Sequence, residues 1–532
     1  MKTASNFHSI ENPITSRGCQ IAPLSLRIML ASLVVFIAGS GARLQAETNS
    51  TAVYKAAANS ITVDELKSHI EFLASDSLEG REAGSQGGQA AGTYIRAFLQ
   101  KHGIQPGMAD EGYFQEFDGG FRNIIAVIPG NDPELKKEYI VIGAHYDHVG
   151  YGKPSNSRGG VGQIHNGADD NASGTAALLE VIEALSLHKE LPRRSILFVF
   201  WDAEEMGLLG SRHWMNYPTV PLDKVALYLN LDMVGRLKDK PLTLFGSRSA
   251  YGLRSSTVRS NERETDLKID FDSAIRPDSD HWPFYQKGIP FLMFHTGKHA
   301  DYHRPEDDAY KIDYQGARKS AQLLTQLALD FALQSEKPEF RNANQDILAG
   351  VDQQARIDNS DPPRLGVAWN ADIYSQGKLI LTQVMANTPA KKAGLEIGDE
   401  IVKIDGKSPI SDQGFGALIQ NSSNQIVLQV RRKGEDELLE LPVTLSGKPV
   451  KLGIQWETDE ADPKVIVVSD IVESSPADLA DLKINDRIYE VSGKSFESSD
   501  EFRKLVSAQK LPFSLLVERE GRLKKIDVQS IR

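Results

Sequence analysis

The residues of this 532-residue chain best suited to chemistry are imidazoles and carboxylates gathered in short clusters. In order they are His145-Tyr146-Asp147-His148, then His165-Asn166-Gly167-Ala168-Asp169-Asp170-Asn171-Ala172-Ser173-Gly174, then Asp202-Ala203-Glu204-Glu205. Asn230-Leu231-Asp232 follows, and last comes His299-Ala300-Asp301-Tyr302-His303-Arg304-Pro305. Thiolate does not contribute, because the only cysteine is Cys19, far upstream. Imidazole and carboxylate without thiolate suit zinc in a catalytic site, where an open position holds water. Two such ions ~3.5–4 Å apart stabilise both a nucleophile and a developing oxyanion. That chemistry needs a bridging carboxylate and a further carboxylate, free of metal, to take a proton from water. The adjacent pair Glu204-Glu205 can divide the last two tasks, ligand and base, since neighbours on an extended segment point opposite ways. Each cluster alone has a plainer reading as a surface pair, a turn or a helix cap. It is their order, each behind an apolar run, that outweighs those readings.

The apolar runs are the elements that must position them. Tyr139 to Ala144, Ser195 to Trp201 and Val225 to Leu231 are continuous apolar stretches that each end at a cluster. Such runs suit strands buried on both faces of a largely parallel sheet. Between the first two, Ser173 to Leu187 places Ala177, Leu178, Val181, Ile182 and Leu185 on one helical face. Alternating strands and helices predict an α/β layer fold, with ligands bound beyond the carboxyl ends of the strands.

With these residues in place, residues 60–335 resemble the M28 metallopeptidases, co-catalytic zinc aminopeptidases with relatives among carboxypeptidases and glutaminyl cyclases. The early segment Phe72 to Arg81 takes part in the resemblance. The likeness implies a zinc exopeptidase fold, a mixed and largely parallel sheet flanked by helices, and two zinc ions. It implies His145, Asp170, Glu205, Asp232 and His303 as metal ligands, Asp170 as the bridge, and a cis peptide after it. It further implies Glu204 as general base, Tyr302 as donor to the oxyanion, and Asp147 as acceptor of the second ring proton of His145. The segment Ser279 to Phe284 resembles one that lines the family's substrate pocket, which makes His281 a candidate for substrate contact. His148 and His165 are open to supporting roles beside the ligands. The cyclases of the superfamily lack the first histidine ligand; His145 is present here, so hydrolysis is the expected reaction, and the resemblance implies that it removes amino-terminal residues. A carboxypeptidase would need a cation for the substrate carboxylate, for which Arg236, Arg276 and Arg304 are candidates. A third alternative is a peptide-binding scaffold on an inactive peptidase fold.

The rest of the chain divides cleanly. Arg27 precedes an apolar run from Ile28 to Ala38, the pattern of a signal peptide cleaved near Ala46, which predicts a secreted or periplasmic protein or, alternatively, one anchored by an uncleaved segment. The expected domains are a signal peptide at 1–46, a peptidase domain at 47–335 and a polar linker at 336–362. Beyond it the sequence repeats at an offset of 87: Leu365-Gly366-Val367 returns as Leu452-Gly453-Ile454, Asp399 as Asp486 and Gly434 as Gly521. The two copies, 363–447 and 448–532, are similar to bacterial-type PDZ domains. That resemblance implies carboxyl-terminal peptide tails as partners, held by the two Leu-Gly segments. The second copy has Asp481 and Asn485 where the first has Gly394 and Gly398, and is expected to fold but to bind peptide less well. A net charge of −12 offers no basic stripe for nucleic acid.

Overall fold

The computed structural model describes residues 54–109, 112–238, 240–343, 363–410, 414–447, 452–472 and 475–529. The expected signal peptide lies outside them, as does the linker from 344 to 362. No helix among the described residues is long and apolar enough to cross a membrane.

The catalytic region is one nine-stranded sheet. Its strands are β1 (Gln105–Pro106), β2 (Phe114–Phe117), β3 (Phe121–Ile128), β4 (Tyr139–His145), β5 (Ser195–Trp201), β6 (Val225–Leu231), β7 (Leu242–Phe245), β8 (Ile269–Asp272) and β9 (Phe291–His295). They run in the order β1-β3-β5-β4-β6-β9-β7-β8, with β2 beside β3. The centre is parallel, β5-β4-β6-β9, and the flanks carry antiparallel pairs at β3–β5 and β7–β9. The apolar runs are apolar because both faces are covered: every residue of β5 and β6 is buried. The helix Gly174–Ser186 covers one face, nearly all of it buried. An aromatic cluster fills another part of the core, with Tyr228 stacked on Phe284 at 3.8 Å beside Trp201 and Trp214.

After the helix Tyr314–Leu333 the chain does not leave at once. Residues 336–343, expected to open the linker, run back over the catalytic region: Phe340 bridges Ala250 and packs on Tyr285, and the Arg341 amide donates to the Ser249 carbonyl. Polar composition in this stretch reflects a surface strap. The two small domains follow, each with its own apolar core. The first holds β10 (Val367–Trp369), β11 (Leu381–Val384), β12 (Glu400–Ile404), β13 (Gln425–Arg431) and β14 (Leu439–Thr444). The second holds one five-stranded antiparallel sheet of β15 (Ile454–Asp459), β16 (Asp462–Ile471), β17 (Arg487–Val491), β18 (Phe513–Arg519) and β19 (Arg522–Val528).

Candidate metal centre

The carboxyl ends of the central strands deliver the site. His145 is the last residue of β4, Glu204 and Glu205 follow β5, and Asp232 follows β6. His303 lies in the loop after β9, in a left-handed conformation at φ 54°. Asp170 sits in an irregular turn, 168–173, whose Asp170–Asn171 peptide is cis. Side chains fix that turn: Asp307 Oδ2 accepts from the amides of Asp169 (2.9 Å) and Asp170 (3.1 Å). Asn171 donates to the Leu231 carbonyl at 2.9 Å, which ties the turn to the end of β6.

The ligand-type residues form two groups that share Asp170, one of His145, Asp170 and Asp232 and the other of His148, Asp170, Glu205 and His303. His145 Nε2 lies 3.4 Å from Asp170 Oδ1 and 3.4 Å from Asp232 Oδ1. His303 Nε2 lies 3.1 Å from Asp170 Oδ2 and 3.1 Å from Glu205 Oε2. The two oxygens of Asp170 therefore face different groups. Ligand atoms around a tetrahedral zinc ion with bonds of about 2.0–2.1 Å stand about 3.3 Å apart, so both groups have suitable spacing. The donor chemistry fits as well. His303 Nδ1 is 2.7 Å from the Asn156 carbonyl, which only a protonated nitrogen can donate to, leaving Nε2 to face the carboxylates. That Nε2 and Asp170 Oδ2 are buried without a hydrogen-bond partner. Buried acceptors left facing one another call for a cation.

The crowding of carboxylates also sets the charge of the imidazoles. Although burial opposes it, the contacts with Asp170 and Glu205 hold His303 up at about 10. Burial likewise opposes charge on His145, yet Glu204, Asp147, Asp170 and Asp232 hold it well above its usual value. Burial, with Glu205, Asp280 and Asp232 close by, pushes the Glu204 carboxyl well above the carboxylate range against the pull of His145. Glu204 thus differs from its neighbour Glu205, whose contacts with His148 and His303 outweigh burial and hold it low. Burial and the surrounding carboxylates also raise the Tyr302 phenol, so it keeps its proton. The Tyr302 ring stacks on His303 at 3.9 Å.

Some expected residues lie where the sequence reading put them and others do not. Asp147 Oδ1 is 3.6 Å from His145 Nδ1, too long for a hydrogen bond, and the Asp147 carbonyl is nearer at 3.3 Å. The Asp147 carboxylate instead accepts from the amides of Glu204 (3.1 Å) and Glu205 (3.3 Å), so it holds the segment carrying both glutamates. His281, expected at the substrate, is buried: its ring stacks on Phe291 and its Nε2 meets the Arg276 carbonyl at 2.9 Å. It closes its own loop. His165 is likewise a loop tie, to Ser157, Gly159 and Gln163. Arg236 is committed to Asp307 (2.8 Å) and Asp301 (3.2 Å).

Three residues matter more than the sequence reading allowed. His148 Nδ1 is 2.9 Å from Glu205 Oε1, inside the second group. Its place beside the His145 ligand position was the only clue. Arg81, fully buried, donates to the carbonyls of Leu73, Tyr146, Asn166 and Gly167, and so clamps the loop that leads into Asp170. Asp280 is fully buried, and burial lifts its carboxyl to about 7 despite the nearby His145. In the small domains, Leu365 and Leu452 are buried while Gly366 and Gly453 both take φ 82° at the start of edge strands β10 and β15. Val367 and Ile454 are the first residues of those strands.

Fold and site together define an α/β protein with groups of metal-ligand type at the carboxyl edge of its sheet, followed by two small β-rich domains. Family comparison agrees: residues 123–328 match the model of Peptidase family M28, and 380–432 and 450–529 each match a PDZ domain model. The chain therefore carries an M28 peptidase domain and two PDZ domains. Aminopeptidase YwaD of Bacillus subtilis is 30% identical over 213 residues, covering 38% of this chain and 43% of that enzyme. Leupeptin-inactivating enzyme 1 of Streptomyces exfoliatus is 29% identical over 251 residues, covering 46% and 50%. The chain thus spans half or less of the length of these relatives. Among solved structures, LapA aminopeptidase of Legionella pneumophila aligns with a TM-score of 0.44 at 20% identity, over 53% of this chain and 74% of that one.

Proposed function

We propose that this chain is a zinc-dependent exopeptidase, specifically an aminopeptidase with two zinc ions. The observation that carries the reading is the shared carboxylate, Asp170, with one oxygen facing each ligand group. His145, Asp170 and Asp232 would hold one ion, and Asp170, Glu205 and His303 the other, with His148 orienting Glu205. When bound, zinc supplies polarisation of the scissile carbonyl and a water acidic enough to react near neutral pH. Glu204 would accept the proton of the attacking water and return it to the leaving amine. Tyr302 keeps its proton and donates to the developing oxyanion. Asp147 keeps Glu204 and Glu205 in register through their amides.

Two things favour the amino end of the substrate. Several curated relatives are named aminopeptidases. Arg236, one of the cations a carboxypeptidase could use, is engaged by Asp301 and Asp307. Carboxyl-terminal peptide tails at the PDZ domains and export through the amino-terminal apolar run complete the reading. The protein should hydrolyse amino-acid anilides, stop with a chelator and recover with zinc. Glu204→Gln should lower kcat by about 10²–10⁴-fold while zinc content stays constant. Undiminished hydrolysis by that variant would defeat the mechanism. Cleavage of amino-blocked peptides would favour the carboxypeptidase, and a purified protein with neither zinc nor activity would favour the scaffold.

A further inference from the structure

The second PDZ domain is bound to the peptidase domain by a seam of buried charge. On the peptidase side stand Arg248 and the helix Leu253–Glu264; on the PDZ side stand the β15–β16 and β18–β19 turns and β17. Arg254 makes a fork to Glu518 at 3.0 and 2.7 Å, and Arg248 donates to Asp459 at 2.6 Å. Arg487 lies between them, 2.9 Å from Asp459 and 3.5 Å from Glu518, and Ser255 donates to Asp462. Three arginines thus meet three carboxylates, a balanced set whose members would be costly to bury apart. Backbone bonds add to it. The Ile269 amide donates to the Glu520 carbonyl at 2.9 Å, and the Asn261 side chain donates to the Gly521 carbonyl at 2.8 Å.

Ile269 opens β8, the outermost strand of the catalytic sheet. Without the PDZ turn, that strand would present an open edge to solvent. The chain leaving β8 reaches Asp280 in eight residues, and its far end is anchored to the core of the site. Ser279 accepts from Asn230 at 2.9 Å, Asn230 accepts from Tyr228 at 2.7 Å, and His281 closes on Arg276. Asp280, the residue after Ser279, is fully buried. A cavity of about 120 Å³ lies beneath the seam, lined by Phe271 and Ser273 from this stretch and by Asp459 and Arg487 from the PDZ domain. The loop 273–280 is therefore held at one end by the catalytic core and at the other by a strand that the PDZ domain caps.

We infer that the second PDZ domain is a positioning domain of the peptidase site. By capping β8 it fixes the course of loop 273–280, and so the seating of Ser279 on Asn230, two residues before Asp232, whether or not a peptide occupies the PDZ groove. Arg254, Glu518 and Arg487 act through that loop; they are positioning residues. Only the kinetic consequence of this role rests on the peptidase reading above.

The test uses the full chain and two variants, one on each face: Arg254→Glu, which sets a second carboxylate against Glu518, and Gly521→Val, whose side chain must displace Ile269. Hydrogen exchange is followed at 269–281, kinetics are measured on an amino-acid anilide too short to reach any PDZ groove, and bound zinc is assayed. Both variants should speed exchange at 273–280 by at least about tenfold and raise KM more than they lower kcat, with zinc content unchanged, while Arg254→Lys, which keeps the charge but not the fork, falls between them and the parent. Faster exchange at the seam with an unchanged loop and an unchanged KM overturns the inference. So does a seam that neither variant loosens, because these contacts would then not be what holds it. If the parent chain hydrolyses no anilide, the peptidase reading fails, and the exchange data alone decide whether the loop is positioned by the PDZ domain.

Discussion

The two PDZ domains descend from one pattern and have been put to different uses. Both keep the same internal lock: Arg432 grips Asp399 at 2.9 and 2.8 Å, and Arg519, 87 positions on, grips Asp486 at 2.8 and 2.7 Å. Both also keep the left-handed turns on either side of that lock. Gly394 and Gly398 have φ 82° and 93°, and Asp481 and Asn485 adopt φ 62° and 72° in their place. The fold tolerates the loss of these glycines because that backbone region costs Asp and Asn less than other side chains. The copies diverge one strand away. Glu400 and Arg431 of the first form a pair with side chains 20% and 56% exposed. The same positions in the second are Arg487 and Glu518, charge-reversed and 6% and 0% exposed. Position 402 is Val, whereas position 489 is Tyr, whose hydroxyl donates to Glu518 at 2.8 Å. The stretch Ala371–Ser375 is a short helix capped by Asn370, while the matching stretch, 458–462, is a hairpin turn that reaches the peptidase domain. Among the described residues, the hydrogen bonds and ion pairs of the first copy close within 363–447. A duplicated module is thus joined to the peptidase domain by charge pairs in one copy and keeps a solvent-facing charge pair in the other.

The sharpest way to break this comparison is to remove the charge at the equivalent position of each copy, Arg487 and Glu400. Arg487→Ala removes the cation shared by Asp459, Asp462 and Glu518, leaves two arginines for three carboxylates in a largely buried place, and should cost about 3–5 kcal/mol. Glu400→Ala removes one half of an exposed pair and should cost about 0–1 kcal/mol. Denaturant midpoints of the full chain give both values. Equal costs would mean that the seam is no more than a surface contact.

How much of this was legible beforehand follows from what each feature depends on. The strands that carry His145, Glu204 and Asp232 were readable because burial on both faces leaves an unbroken apolar run. The repeat was readable because identical cores preserve Leu365 and Leu452 in register. The ligand groups were readable as residue types in order, though the part played by His148 depends on a 2.9 Å approach that no spacing encodes. His281 misled because a histidine in a pocket-lining segment can turn inward, and here it meets its own loop. The seam was not legible at all. Arg254 and Glu518 are separated by 264 positions, and an arginine on a helix as polar as Leu253–Glu264 reads as solvent-facing. The one trace was the reversal from Glu400–Arg431 to Arg487–Glu518, visible only when the copies are compared for differences.

A second comparison isolates shape from charge. Gly434 and Gly521 occupy the same turn at φ 95° and 72°, so either one changed to Ala bears about 1–2 kcal/mol for the left-handed backbone. At Gly434 the added methyl enters open space; at Gly521 it would run into the Ile269 side chain. Gly521→Ala should therefore cost about 1–3 kcal/mol more than Gly434→Ala, as an overpacked interior does. The excess should disappear in an Ile269→Ala background. An excess that survives there would place the strain within the PDZ turn itself.

The smallest effect concerns pH, and its sign changes. Against its burial, Arg487 and Arg248 hold Asp459 below the ordinary carboxyl value of 3.8. Its contribution to stability is present above 3.8 and is lost as pH falls through the depressed value. Burial raises Asp462 despite its contact with Ser255 and the nearby Arg487. The folded protein therefore binds that proton more readily than the unfolded chain does, and this contribution fades as pH rises from 3.8 through the raised value. Together they give the seam a shallow stability optimum around the ordinary carboxyl value, with a decline on both sides. Asp462→Asn should flatten the decline on the neutral side and leave the acid side intact. Position 375 of the first copy is Ser, so only Asp372 can be changed to match, and Asp372→Asn, on an exposed helix, should leave the curve where it was. Midpoints measured from about pH 3 to pH 6 decide the matter: a neutral-side decline that persists in Asp462→Asn assigns the titration to some other part of the molecule.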